Sequence, residues 1–401
     1  MFQFKCIDLF VFILLFQTLG LSAEVDQFTR RNEPISDSLT VLNQQLEELI
    51  TSAIDSANQD MQGILDTQYF ATPCDSADEK IRKKARETLF THLQKKLTNN
   101  DPYNGVLEKF AKKDERVKRK EISFKESIYS SSHQNKLIAK ISELSPVIKI
   151  NGIQIGADKL GHFLSQGYTA YNSAKQTRST ERAQQILTES KNLEESYQGL
   201  DTTGVKSYAD IAANYQGALF WSKICGFPPN EAELEATVYL DKMTYFKNHQ
   251  CEKESFVQCK NGRWRRNENA KINLADFVDH AWDEGINCSQ YANKTMAEAI
   301  YLEMNHRASD TQVKSPKSPC PVDVTQCSQI RQKYGANKVY KTLLSPVCSQ
   351  EAENLKRLIV ASQTPEIYVA AVNGTNVSQQ QKTKLNPQKP PEGFQRVNFK
   401  K

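Results

Sequence analysis

Cysteine content constrains the fold of this chain more than any other feature of its sequence. Of the nine cysteines, Cys6 lies in an apolar leader and eight follow it. The eight are Cys74, Cys225, Cys251, Cys259, Cys288, Cys320, Cys327 and Cys348. An even number in an oxidising compartment predicts a fold braced by disulfide bonds. Short intervening loops favour two local pairs, Cys251–Cys259 and Cys320–Cys327, and leave the other four cysteines for longer closures.

The spacing of these cysteines argues against zinc. The chain has no C-x-x-C pair, and the intervals match no zinc ribbon or zinc finger. We therefore expect disulfides rather than thiolate ligands, and the sequence identifies no cofactor.

The first 23 residues have the three parts of a secretory signal peptide. Lys5 gives a positive start, residues 9–16 are apolar, and Leu21-Ser22-Ala23 is a small-residue exit. An uncleaved membrane anchor is the alternative interpretation. No later segment approaches the roughly 18 apolar residues of a membrane-spanning helix. We therefore expect an exported chain, periplasmic or extracellular, with no transmembrane span after cleavage.

Net charge argues against nucleic acid as a partner. The chain has a formal charge of +5, and residues 379–401 hold six basic residues and one acidic residue. This tail accounts for the whole excess, so the rest of the chain is neutral. Binding of nucleic acid needs clustered Lys and Arg to neutralise phosphates.

Apolar periodicity predicts a mainly α fold. Residues 39–64 repeat apolar side chains at steps of three and four, and a second such helix follows a capping box at 76–79. Residues 147–155 give the clearest β signal, because Asn151-Gly152 between two β-branched runs favours a hairpin. Further helices are predicted at 158–174, 181–198, 207–222, 231–247, 274–285, 289–305 and 350–362.

The expected architecture is a helical core braced by disulfides, with one short β-hairpin near residues 147–155. The expected order is a signal peptide at 1–23, an N-terminal helical segment at 24–145, a helical core domain with disulfide-pinned loops at 146–362, and a basic, disordered tail at 363–401. Residues 251–266 are one such pinned loop, with room for short strands.

Asp158 and His162 form the first candidate for chemistry. They lie four residues apart at the start of the helix after the hairpin, so they share one face. An Asp and a His on one face can act as base and orienting group, or ligate a metal ion together. The alternative is structural, with Asp158 as the helix N-cap and His162 as a satisfied, half-buried side chain. Any metal site would involve these two residues.

Asp210 and Asn214 form a second pair at the same spacing. Ala209, Ala213 and Gly217 on their helix are small enough for a neighbouring helix to approach closely. A close neighbour would hold the two polar side chains away from water, where unpaired polar groups are costly and tend to form networks. The alternative for Asp210 is a capping role with Ser207 at the start of the helix.

Several short motifs follow one another in a recognisable order. They are Asp158-Lys159-x-x-His162-Phe163, Glu195-x-x-Gln198 and Asp210-x-x-x-Asn214-x-x-Gly217. This order and spacing resembles the VanZ-like family, which implies a cell-envelope function such as glycopeptide resistance, with an envelope component as partner. The resemblance adds Lys159 and Gln198 as binding residues. VanZ-like helices are embedded in membranes, whereas these helices are too polar to face lipid, so the resemblance is to a soluble exported form.

Two criteria disagree about which glutamate joins Asp158 and Asp210 as a third acidic site residue. Periodicity on the 181–198 helix puts Glu194 in the apolar stripe and Glu195 toward its edge. The family spacing selects Glu195. We therefore expect Glu195 to be the site residue.

Cys288 is a further candidate nucleophile, in the stretch 279–289. His280 or His162 would activate it. The even number of cysteines opposes this role, because a free thiol would leave another cysteine unpaired. The structural interpretation ends a helix at Gly285 and places Cys288 in a disulfide.

Three functional hypotheses follow. In the first, a buried polar site binds or hydrolyses an envelope component, with His162 as general base or metal ligand; its residues are His162, Asp158, Glu195, Asp210 and Asn214. In the second, the same residues only fix helix packing in an interaction module. The third is an enzyme that depends on Cys288. The first hypothesis requires the His162 imidazole to lie within about 12 Å of the Asp210 carboxylate.

Overall fold

The computed structural model describes residues 24–65, 74–101, 105–132, 144–196, 199–228, 251, 253–310, 320–335 and 339–350. The predicted signal peptide at 1–23, the predicted helix at 231–247, all but the first residue of the predicted helix at 350–362, and the predicted tail at 363–401 lie outside these residues. The described part is mainly helical, with short antiparallel strands in three small sheets. This confirms the predicted fold class.

The helices span most of the described chain. In order they are α1 (Leu39–Leu65), α2 (Glu79–Thr98), α3 (Val106–Lys113), α4, α5 (Arg182–Glu195), α6 (Tyr208–Cys225), α7 (Lys294–Asp310), α8 (Val324–Tyr334) and α9 (Pro346–Ser349). Helix α4 has three consecutive pieces: Lys159–Gly161, a π-helical turn at His162–Gln166, and Gly167–Ala174. None of the helices in the described part is both long and apolar enough to cross a bilayer.

Helices α1 and α2 pack against each other through the apolar stripes that periodicity predicts. Leu42 and Leu46 on α1, and Leu89 and Leu93 on α2, are fully buried. The predicted capping box at 76–79 is wrong in one detail, because Asp78 is the N-cap of α2 and accepts a 2.8 Å hydrogen bond from the Lys80 amide.

The predicted hairpin is confirmed. Strand β2 (Val147–Ile150) pairs with β3 (Ile153–Gly156), and β1 (Arg119–Lys120) adds a third strand beside β2. Asn151 and Gly152 have φ values of 53° and 80°, the left-handed conformation that a type I′ turn needs at both positions. Strand β3 therefore delivers the chain to the start of α4 in a fixed direction.

Helices α4 and α6 approach each other very closely. A Cβ atom on Gly217 would lie 1.9 Å from the carbonyl oxygen of Phe163, and one on Gly167 would lie 2.6 Å from the Cα of Gly217. No side chain fits there, so both positions need glycine for the backbones to touch. This agrees with the small-residue face predicted on α6.

The disulfide pairs differ from the predicted local pairs. They are Cys74–Cys259, Cys225–Cys251, Cys288–Cys320 and Cys327–Cys348, with Cα–Cα distances of 5.7, 4.2, 5.9 and 5.3 Å. The pairs Cys251–Cys259 and Cys320–Cys327 are wrong, because regular structure separates their members. Cys259 is carried away in strand β5 (Val257–Lys260), and Cys327 lies inside α8.

The predicted helix at 274–285 is also wrong. Two short 3₁₀ turns replace it, Leu274–Asp276 and His280–Trp282, each capped by the side chain of the preceding residue. The predicted helix at 289–305 begins later, at Lys294, after strand β7 (Gln290–Tyr291), which pairs with β4 (Val205–Lys206). Strands β5 and β6 (Arg263–Arg266) form the short hairpin for which the pinned loop at 251–266 had room.

Candidate functional site

Four segments bring polar and charged side chains to one point inside the fold. The start of α4, the end of α5, the start of α6 and the loop before β7 each contribute. We call the following set the buried cluster: Asp158, Lys159, His162, Glu194, Ser207, Asp210, Asn214 and Glu284. Every member is at most 5% exposed to solvent.

Lys159 is the centre of the buried cluster. Its Nζ lies 2.7 Å from Asp158 Oδ2, 2.5 Å from Asp210 Oδ1 and 2.6 Å from Glu284 Oε1. One ammonium group therefore joins three carboxylates from three segments of the chain. Since a buried ion pair needs further polar partners to offset its desolvation, this arrangement links the three segments tightly.

His162 is held from both sides by residues of α6. Its Nε2 lies 3.1 Å from Asp210 Oδ2, and its Nδ1 lies 3.1 Å from Asn214 Oδ1. Asp210 and Asn214 share one face of α6, as their spacing predicts, so they grip the imidazole together. These two contacts fix the plane of the imidazole ring in the interface between α4 and α6.

Ser207 connects the remaining carboxylates. As the N-cap of α6, its Oγ accepts a 3.1 Å hydrogen bond from the Asp210 amide and donates a 2.8 Å bond to Glu284 Oε1. Its own amide donates a 2.8 Å bond to Glu194 Oε1. The capping role that the sequence suggested for Ser207 is confirmed, and it coexists with the place of Asp210 in the buried cluster.

Two glycines leave room for carboxylates of the buried cluster. A Cβ atom on Gly156 would lie 2.1 Å from Asp158 Oδ1, and one on Gly199 would lie 2.7 Å from Glu194 Oε1. Gly156 ends strand β3 just before α4, and Gly199 lies in the connection between α5 and β4. Larger side chains there would push the carboxylates out of position.

The two cationic groups of the buried cluster are stabilised by their carboxylate neighbours. Burial alone would lower the pKa of Lys159, but Asp158, Asp210 and Glu284 together raise it well above its ordinary value. Burial likewise opposes the positive charge of His162, and the Asp210 carboxylate outweighs it, so the pKa of His162 is raised. These contacts therefore favour the imidazolium form of His162.

The carboxyl groups divide into two kinds. Burial would raise the pKa of Asp210, but His162 and Lys159 lower it well below its ordinary value. Burial raises the pKa of Glu284 to about 7 and that of Glu194 well above its ordinary value, and the neighbouring negative charges add to both shifts. Asp210 is thus ionised at neutral pH, whereas burial favours the protonated form of Glu194 and Glu284 exchanges its proton near neutrality.

The structure brings together Asp158, Lys159, His162, Asp210 and Asn214, all of which the sequence selected. It does not bring Glu195 into the buried cluster. That carboxylate pairs with Lys206 and Lys191 near the surface, with a side-chain exposure of 35%. Glu194 occupies the inner position, as the apolar periodicity of α5 indicated. Gln198 lies outside the described residues.

Cys288 is bonded to Cys320, which overturns the hypothesis of a Cys288 nucleophile. His280 lies in the short 3₁₀ turn His280–Trp282 rather than in a longer helix. It therefore does not share a helix face with Asp283 or Glu284. Trp282 is fully buried and packs against Phe163 with ring centroids 5.4 Å apart. This anchors the loop that carries Glu284.

Glu284 is the residue that sequence reasoning missed. It lies in a loop of irregular structure, so no periodicity marks it as buried. Its carboxylate reaches Lys159 because Asp283 is tied to Arg31 at 2.6 Å and Cys288 is tied to Cys320. Such tertiary contacts, which the sequence does not display, fix the position of the loop.

Asp158, His162 and Asp210 also have the donor atoms that a metal ion needs. One ligand atom from each lies within 4.8 Å of the other two, and all three residues are buried. Carboxylate oxygens with an imidazole nitrogen suit several divalent metals. However, the ammonium group of Lys159 already contacts both carboxylates, so it takes the place of a cation between them.

Comparison with known proteins assigns no family to this chain. No family model matches it, no curated protein matches it, and no solved structure matches its fold. The geometry of the buried cluster is therefore the basis for inferring a function.

Proposed function

We propose that this chain is an exported, cell-envelope-associated protein and that the buried cluster is a VanZ-like site which binds or hydrolyses an envelope component. The observation that supports this is the convergence of Asp158, Lys159, His162, Asp210 and Asn214. These residues come from the motifs that carry the resemblance, and they meet around one ammonium group and one imidazole.

The excess of carboxyl groups supports a functional site over a purely structural network. The buried cluster holds four carboxyl groups and two cationic groups. Asp158 Oδ1 and Glu194 Oε2 are buried with no hydrogen-bond partner among the described residues. Burial of an unpaired carboxylate oxygen costs free energy. Functional sites commonly retain such unfavourable groups because their chemistry needs the carboxyl group.

Proton transfer is the chemistry that this arrangement suits. The raised pKa of His162 favours its imidazolium form, which suits a proton donor better than the general base of the sequence hypothesis. Glu284, with a pKa of about 7, is matched to accept or donate a proton near neutral pH. A hydrolytic reaction would use Glu284 to take a proton from water and His162 to protonate the leaving group.

A second candidate function is a non-catalytic interaction module. The complete burial of the buried cluster favours it, because a substrate would need the surrounding segments to open. In that case the same contacts act to fix the packing of α4 against α6. Charged networks of this kind specify an arrangement rather than add much stability.

Complementation of cells that lack the protein distinguishes the functional site from the packing module. We would measure glycopeptide sensitivity and the release of soluble fragments from purified envelopes, together with the urea midpoint of each purified variant. Under our proposal, Asp210→Asn and His162→Gln fold but lose both activities. The matched control Glu195→Gln alters a carboxylate that lies near the surface and keeps them. Full activity in the two folded cluster variants would refute a site, and unfolding of both would favour the packing module.

A further inference from the structure

The hairpin of β5 and β6 carries three cationic side chains on one face. In its register, Lys260 lies opposite Arg263 beside the turn. Arg265 lies opposite Gln258, two residues further along each strand. Because side chains alternate between the two faces of a strand, these four residues share one face. Lys260, Arg263 and Arg265 are exposed, and we call these three the basic hairpin face.

The rest of the hairpin is anchored to helices α1 and α2. Trp264 is 3% exposed, and its indole Nε1 donates a 3.3 Å hydrogen bond to the Ala85 carbonyl of α2. The side-chain amide of Asn58 on α1 bonds the amide and the carbonyl of Trp264, at 3.0 and 2.9 Å. Cys259, which lies opposite Trp264 in the hairpin, is bonded to Cys74. These contacts hold the basic hairpin face in a fixed position.

The turn of the hairpin is fixed as well. Asn261 and Gly262 have φ values of 53° and 76°, the left-handed conformation that a type I′ turn needs at both positions. The Asp75 carboxylate accepts a 3.0 Å hydrogen bond from the Gly262 amide. Asp75 therefore adds one negative charge at the turn, against the three cations of the basic hairpin face.

The charges of the basic hairpin face are not neutralised by neighbouring side chains. In the described part of the chain, none of its three cations forms an ion pair or a side-chain hydrogen bond. The next residue of β6 differs, since the Arg266 guanidinium lies 3.4 Å from the Glu47 carboxylate. Lys260 and Arg263 also face each other directly, and like charges in that position destabilise a hairpin. Arrangements that cost stability are commonly found where function requires them.

The shape of the basic hairpin face suits phosphate groups that lie in one plane. Successive side chains on one face of a strand are about 7 Å apart, and neighbouring strands are about 5 Å apart. A guanidinium group binds a phosphate through two parallel hydrogen bonds. A two-stranded ladder has no side walls to enclose a polymer, whereas the phosphates of a bilayer lie side by side at a surface. An anionic bilayer therefore fits this face better than a polymer does.

We propose that the basic hairpin face docks on the anionic phospholipid headgroups of an envelope membrane and holds the chain at that surface. Residues 260–263 and 265 include no apolar side chain, so the contact is with headgroups rather than with acyl chains. Each cation near an anionic bilayer raises the binding constant by about fivefold, and salt screens the attraction. The inference extends the proposed envelope association and does not depend on any chemistry of the buried cluster.

Co-sedimentation of the purified full chain with lipid vesicles tests the proposal. The vesicles contain equal parts of phosphatidylglycerol and phosphatidylcholine, in low-salt buffer. The hairpin variant combines Lys260→Gln, Arg263→Gln and Arg265→Gln. It should bind about 100-fold more weakly than the unaltered chain, because it lacks all three cations of the docking face.

A matched control removes the same charge elsewhere. The control variant combines Lys113→Gln, Lys118→Gln and Lys125→Gln. These lysines are exposed, so the control should fold normally and bind anionic vesicles within about threefold of the unaltered chain. The basic tail at 379–401 is unchanged in both variants, so any contribution from it is the same.

Two further measurements separate docking from folding and from binding of a polymer. The urea midpoint of the hairpin variant should equal or exceed that of the unaltered chain, because the substitutions relieve the repulsion between Lys260 and Arg263. A lower midpoint would contradict the unfavourable contact on which the inference rests. Vesicles of phosphatidylcholine alone should bind none of the three proteins.

Three results would overturn the proposal. They are equal weakening in the two variants, no binding of the unaltered chain to anionic vesicles, and a hairpin variant that loses affinity for soluble polyphosphate but not for vesicles. The last result would assign the basic hairpin face to an anionic polymer. Glycopeptide sensitivity does not enter these measurements, so failure of the proposed site is detected separately.

Discussion

The Nε2 atom of His162 lies 3.1 Å from Oδ2 of Asp210, across the contact between helices α4 and α6. This distance is well inside the limit that the sequence hypothesis of a common site required. Because Asn214 holds the opposite nitrogen of the imidazole, a change in either helix would alter the orientation of the ring. The pair therefore couples the chemistry of the site to the packing of the two helices.

Removal of the buried ammonium should destabilise the fold strongly. Lys159→Met leaves three carboxylates facing each other without a counter-charge, and we expect a loss of about 3–5 kcal/mol in the free energy of unfolding. Urea unfolding at pH 7 measures it. The matched control is Lys109→Met, which breaks an ion pair with Asp101 on a lysine that is 44% exposed and should cost at most about 1 kcal/mol. Equal losses in the two variants would contradict the central role of Lys159.

Stability should fall as the pH rises from about 4.5 to about 7. Glu108 is 3% exposed, and burial raises its pKa from 4.5 to about 7 although Lys112 lies 2.6 Å away. The folded state then keeps a proton that the unfolded state releases between these two values, so the free energy of unfolding decreases over this range, by about 3 kcal/mol at most for this group. Glu284 acts in the same direction.

The pH effect can be assigned to Glu108 by substitution. Glu108→Gln should flatten the decrease between pH 5 and pH 8, whereas Glu115→Gln, at an exposed position seven residues later, should leave it unchanged. Urea midpoints at four or more pH values give the comparison. An unchanged slope in Glu108→Gln would show that this carboxyl group is ionised in the folded state.

The contact between α4 and α6 should not tolerate a single methyl group at Gly217. The new Cβ would lie 1.9 Å from the Phe163 carbonyl oxygen, so Gly217→Ala must force the helices apart, at a cost of about 3 kcal/mol or more. In Gly105→Ala the nearest atom would be 3.3 Å away, and the cost should stay below about 1 kcal/mol. Thermal unfolding of both variants checks this, and a stable Gly217→Ala protein would mean that the backbones do not touch.

The eight paired cysteines should contribute no titratable thiol. Cys288 is 1% exposed and bonded to Cys320, so denatured, unreduced protein should release no thiol signal from either residue. The double variant Cys288→Ser with Cys320→Ser should lose about 3–4 kcal/mol of stability and keep any envelope activity at low temperature. Loss of activity without loss of stability would revive a role for the thiol.

Local patterns predicted the parts of the fold that local physics decides. The Asn151-Gly152 turn needs two left-handed residues, and Ser207 can cap the helix that follows it, so both were readable from the sequence. The spacing of Asp210 and Asn214 likewise fixed which two side chains share a face of α6. Their partner His162 followed from the order of the motifs.

The rest depends on contacts between distant segments. Glu284 reaches the site through a loop whose path is set by Arg31 and by the Cys288–Cys320 bond. The disulfide pairs could not be read from loop length, because the direction of a cysteine side chain depends on the strand or helix that carries it. The prediction of Glu195 is wrong because it follows the VanZ-like spacing. The apolar periodicity of α5 indicates Glu194, the residue that is buried.

The π-helical turn at His162–Gln166 has a consequence for how this chain can vary. Such a turn holds one more residue than an α-helical turn, and each residue of an α-helix rotates the chain by about 100°. Regular α-helical winding of the same residues would instead rotate everything downstream, including Gly167, by about 100° relative to His162. The imidazole and the glycine contact could then no longer face α6 at once, so descendants of this chain that retain both should also retain the wide turn.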